Sequence, residues 1–93
     1  GVIMPTFKIG DYVIATGKWD NNPSIEWVTG VIKGIPASEL CAVEYDKKIE
    51  GGHDCNGVCE YGYGWFTGKS VLALQEVTST ESSPILIYDE VMS

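Results

Sequence analysis

Five short runs of β-branched and aromatic residues, each cut off by glycine, proline or an Asn/Asp-rich turn, constrain this chain more than any other feature. Strands of a small barrel need such short apolar runs, and none is long enough to write an amphipathic helix. The first run, Phe7 to Thr16, is entered through the bend at Gly10-Asp11 and ends at Gly17. The second, Ile25 to Ile35, carries Trp27, Val28, Val31, Ile32 and Ile35. Gly30 and Gly34 interrupt it where a bent strand can place a bulge, and Pro36 is expected to stop it. Leu40 to Tyr45, Tyr61 to Phe66 and Val71 to Leu74 complete the set, the last two joined by the turn residues Thr67-Gly68-Lys69-Ser70. The segments Lys18 to Ser24 and Asp46 to Asn56 read as loops. The prediction is an all-β fold, a small five-stranded barrel over residues 5–76, because closure removes the exposed sheet edges of so short a chain. Residues 77–93 read as a Ser/Thr-rich linker and an apolar tail, a C-terminal extension whose stretch 84–90 is expected to add a strand to its own barrel or to a second copy.

The 93 residues suffice for one modest core. Six Lys+Arg stand against 13 Asp+Glu, a net charge of -7, and the lysines are scattered from Lys8 to Lys69. Such a chain repels a phosphate backbone, which disfavours direct nucleic-acid binding and favours a protein partner with a basic surface. No apolar stretch is long enough for a membrane span and no secretory leader is visible, so a cytoplasmic protein is expected. Met4-Pro5 resembles a natural start, which leaves Gly1 to Ile3 outside the fold argument.

His53, Cys55 and Cys59 form a His-x-Cys-x3-Cys group on a Gly-rich loop, and two thiolates with an imidazole are donors that zinc prefers. A fourth ligand would have to come from Asp54 or Glu60, and the Cys spacing is wider than the usual Cys-x2-Cys. A Cys55–Cys59 disulfide is a second reading, at odds with a reducing cytosol. The plainer reading ranks first: both thiols and the imidazole pack and hydrogen-bond to hold a long loop, with Cys41 as a small buried strand residue. No catalytic set is proposed. The only histidine lies beside carboxylates that raise a thiol pKa, and neither a phosphate-cradling Gly-Lys-Ser/Thr motif nor a Ser-His-Asp set is found.

Lys8-Ile9-Gly10-Asp11-Tyr12-Val13 followed by Thr29-Gly30-Val31-Ile32 resembles the opening of many SH3-like barrels. The string Gly52-His53-Asp54-Cys55-Asn56-Gly57-Val58-Cys59 through Gly62-Tyr63-Gly64-Trp65-Phe66 resembles a signature of small uncharacterised bacteriophage proteins, with Tyr63 where that pattern has a second histidine. The resemblance spans Phe7 to Leu74 and implies an SH3-like fold and a phage origin, hence the cytoplasm of a bacterial host. SH3-like barrels commonly bind peptides through an aromatic groove bordered by acidic loop residues. Trp19, Tyr61 and Tyr63, in or beside loops, are the surface aromatics expected to serve such a groove, whereas Trp27 and Trp65, within predicted strands, are expected in the core. Asp46, Glu50, Asp54 and Glu60 are the expected acidic contributors. The leading functional expectation is a non-catalytic module that engages a host or phage protein through these residues. Its rivals are an acidic inhibitor of a bacterial defence nuclease, of anti-CRISPR type, and an assembly protein that oligomerises through its tail.

Overall fold

The structure, a computed structural model, describes residues 6–75, and the predicted tail lies outside them. Five strands alternate with turns: β1 (Tyr12–Ala15), β2 (Thr29–Ala37), β3 (Leu40–Tyr45), β4 (Gly64–Gly68) and β5 (Leu72–Leu74). They form one antiparallel sheet in the order β4-β3-β2-β1-β5. The two edge strands, β4 and β5, are consecutive in the chain and joined only by the short 3-10 turn Lys69–Val71. A flat sheet would hold them four strand spacings apart, so the sheet has to curl to bring its two edges within reach of that turn. The result is an all-β, five-stranded, barrel-like fold, in keeping with the expectation from the strand pattern.

Period-two alternation sorts β3 between two faces. Cys41, Val43 and Tyr45 point into the barrel, where they meet Val13, Ala15, Ile25, Ile32 and Leu72. Tyr45 brings a hydroxyl into this core and shares a 2.8 Å hydrogen bond with Thr67, itself fully buried. Burial without that partner would cost on the order of 1–3 kcal/mol. Gly30 sits where β2 runs tightly against β3: a Cβ there would fall 2.6 Å from the Glu44 carbonyl oxygen.

Three segments depart from the sequence reading. β2 does not stop at Pro36 but runs to Ala37, because the pairing with β3 shifts register between Ile32 and Gly34 and again between Gly34 and Ala37. Pro36, which has no N–H to give, lies inside the second irregularity, where no ladder donor is required. At its other end β2 begins only at Thr29. The chain first makes a 3-10 turn, Pro23–Ile25, capped by the Asn22 side chain, and then swings through Trp27 at φ 62°. Finally, Tyr61 to Tyr63 form a turn through Gly62 at φ 95°, so that β4 starts at Gly64.

Candidate functional site

The outer face of β3 is covered in part. Ala42 pairs with Gly34 of β2 on one side and Phe66 of β4 on the other, and Ala42 is only 1% exposed although it faces away from the barrel. Its cover is the loop carrying the His-x-Cys-x3-Cys group, which folds back over the sheet. Ala42, Cys55 and Cys59 form a second small apolar cluster with Phe66 packed against it.

That loop is fixed by backbone devices which only certain residues allow. His53 and Gly64 exchange two main-chain hydrogen bonds of 3.0 and 2.9 Å, anchoring the loop to the start of β4. The His53 Nδ1 accepts the Cys55 amide at 3.0 Å, which puts the ring proton on Nε2, and the ring lies 5.4 Å from Trp65 and 5.5 Å from Phe66. Cys55, Asn56 and Gly57 follow one another at positive φ, and the Asp54 carbonyl closes the turn by accepting the amides of Gly57 and Cys59. Gly64 is required beneath it: a Cβ there would lie 2.6 Å from the His53 carbonyl oxygen, 2.8 Å from the Cys59 Cβ and 2.9 Å from the Cys55 Sγ. The Gly-His-x-Cys-x-Gly-x-Cys and Gly-x-Gly-Trp strings therefore meet as the two halves of one buttress.

Among the described residues no three His, Cys, Asp or Glu side chains converge to hold a metal, and His53 spends its Nδ1 on the Cys55 amide. All three cysteines are free, and Cys55 and Cys59 pack together against Ala42. Burial, with the neighbouring Cys59 next, pushes the Cys55 thiol far above its ordinary range. Burial likewise raises Cys59 and, in the main core, Cys41. Among the described residues the one ring nitrogen next to this pair that makes a hydrogen bond, His53 Nδ1, is engaged by the Cys55 amide rather than by a thiol.

Where the buttress stops short, an open apolar groove remains. Gly34, Ile35 and Pro36 of the bulged end of β2 form one wall, Ala42 and Phe66 the floor, and Cys55, Asn56 and Val58 the other wall, around a volume of about 270 Å³. Val58 is 48% exposed at its lip. Beside this groove the carboxylates collect. Asp54 and Glu60, both exposed, begin and end the loop, and Glu44 accepts the Glu60 amide at 2.6 Å while pairing with Lys33 at 3.6 Å.

The expected surface residues are only partly found there. Trp19 packs against the main core with its ring over Gly68, and its carbonyl accepts the Trp65 indole N–H at 3.2 Å. Trp27, expected in the core, is instead 67% exposed. Trp65 is half-buried against the main core. Tyr61 is exposed on its turn and Tyr63 half-buried. Of the four acidic residues, Asp54 and Glu60 belong to the groove loop. Asp46 instead accepts hydrogen bonds from the Tyr12 and Thr29 hydroxyls, and the Glu50 backbone is tied to Asn22 and Ser24. Sequence reasoning missed Ile35, Pro36, Ala42, Val58, Phe66 and Glu44; the one available signal was the Gly34-Ile35-Pro36 break within an apolar run.

No family model, curated protein or solved structure matches the chain. No helix among the described residues is long and apolar enough to cross a membrane.

Proposed function

We propose that this protein is a non-catalytic binding module whose groove between the β2 bulge and the 54–59 loop seats an apolar side chain of a protein partner, with basic residues of that partner meeting Asp54, Glu60 and Glu44. The observation that carries the reading is the groove itself, open, apolar and walled on two sides in a chain of net charge -7. Its volume of about 270 Å³ lies below the roughly 300–1,000 Å³ of pockets that enclose whole small molecules, and suits one or two large side chains. The acidic neighbours supply the complement to a basic flank and would speed encounter with it. Raised thiol pKa values and an imidazole committed to a backbone amide argue against chemistry at the same place.

Gly34 provides a test that separates binding from folding. A Cβ added there would meet Ala42 and Val58 at 3.6 and 3.8 Å, ordinary contacts, and its backbone does not require glycine. Gly34→Val should fill the groove while changing stability by less than about 1 kcal/mol. Peptides selected from a displayed library on the wild-type protein should show an apolar anchor flanked by Lys or Arg and should lose at least tenfold in affinity on Gly34→Val. Peptides that bind the variant unchanged would place the binding surface elsewhere.

A further inference from the structure

The Cys55 and Cys59 thiols serve packing, but their placement supports more than packing. Both side chains converge above Gly64, with the Cys55 Sγ and the Cys59 Cβ each within 3 Å of the point where a Gly64 Cβ would stand. The two side chains pack in one small apolar cluster with Ala42, which holds both sulfurs on the same side of the sheet over a single glycine. Cys55 lines the open groove, which gives a small reagent a path to a residue only 2% exposed, whereas Cys59, 8% exposed, lies outside the groove lining. Cys41 lies across the sheet in the main core, fully buried and outside this pair.

We propose that Cys55 and Cys59 form a dithiol site that low-molecular-weight disulfides oxidise reversibly to an intraloop bridge. The Cys55 thiolate entering from the groove attacks one sulfur of a disulfide RSSR and expels RS⁻, leaving a mixed disulfide on Cys55. The Cys59 thiolate then attacks the Cys55 sulfur and expels the second RS⁻. In sum, two thiols and RSSR become one protein disulfide and two RSH, and excess RSH runs the sequence backward. Because burial keeps both thiols protonated at neutral pH, the bridge forms slowly and faster as the pH rises.

The full-length chain is equilibrated in glutathione buffers of stepped reduced-to-oxidised ratio, denatured in N-ethylmaleimide and mapped by mass spectrometry. The expected product has lost two hydrogens, links Cys55 to Cys59, leaves Cys41 alkylated and reverts in reduced glutathione. In Cys59→Ser the reaction should arrest as a glutathione adduct on Cys55. Full alkylation of both loop cysteines after equilibration with glutathione disulfide alone would overturn the proposal, as would a bridge or adduct that involves Cys41. No binding partner enters the measurement, so its outcome is independent of the groove reading.

Discussion

Gly68→Ala should destabilise the protein even though the backbone at that position suits alanine. Gly68 has φ -67° and ψ 140°, an extended conformation open to any residue. Replacement of glycine in such a conformation would ordinarily stabilise by about 0.4–1 kcal/mol, through the unfolded chain's lost freedom. What reverses the sign is the Trp19 ring, three of whose carbons would lie 2.4, 2.5 and 2.6 Å from the new Cβ, about 1 Å inside van der Waals contact. The ring cannot swing clear cheaply, because the Trp19 carbonyl is held by the Trp65 indole and the side chain is packed on the core. Overpacking of this kind costs about 1–3 kcal/mol, so the net loss is about 1–2 kcal/mol, or a Tm lower by roughly 4–15 °C for a domain of this size. The control is a double-variant cycle with Trp19→Phe, whose smaller ring vacates part of the space. Urea denaturation should show the pair losing less than the sum of its members. Strict additivity, or a Gly68→Ala protein as stable as wild type, would refute the placement of Trp19 and return it to the surface.

Two further outcomes follow from the core and its ionisable groups. Thr67→Val keeps the shape of a fully buried residue but leaves the Tyr45 hydroxyl without its 2.8 Å partner, and should cost about 1–3 kcal/mol in chemical denaturation. Tyr45→Phe in that background should recover part of the loss, and no recovery would count against the buried pair. Alkali should also unfold the protein. Burial pushes the Tyr45 hydroxyl from 10.0 up to about 12, and it raises all three thiols from 9.0. The unfolded chain then releases these protons first, so their contribution is complete below about pH 8 and declines as the pH climbs towards the folded-state values. Tyr45 alone removes roughly 2–3 kcal/mol by about pH 12. A urea midpoint that stays level from neutral pH to about pH 11 would contradict this.

The strands were legible where local pattern and tertiary outcome agree. Leu40 to Tyr45 reads as a strand and is one, because its inner positions Cys41, Val43 and Tyr45 alternate as a barrel wall requires. The Gly34 irregularity was legible as well, since glycine within a β-branched run marks a bulge. Trp19 and Trp27 were assigned the wrong way round for a reason that local sequence does not contain. Each stands near turn residues, and what buries Trp19 is the missing side chain of Gly68, far away in the chain. What exposes Trp27 is a positive φ that a bulky residue seldom adopts. The groove was hidden more deeply. Residues 34 to 36, 42, 55, 56, 58 and 66 meet only because a register shift in β2 leaves Ala42 to be covered by a loop too short to finish the work. The His53, Cys55 and Cys59 constellation stood out by residue type, yet its chemistry depended on whether the three donors converge, and spacing alone does not decide that.

The most direct test of the groove is to map where a library-selected, basic-flanked apolar peptide lands, by titrating it into isotope-labelled protein and following backbone amide shifts. The amides of Ile35, Ala42, Val58 and Phe66 should move together and saturate with one dissociation constant, while those around Trp27 stay in place. Shifts centred on Trp27 or on the Tyr61 turn, with the groove amides unmoved, would contradict the assignment of the binding surface.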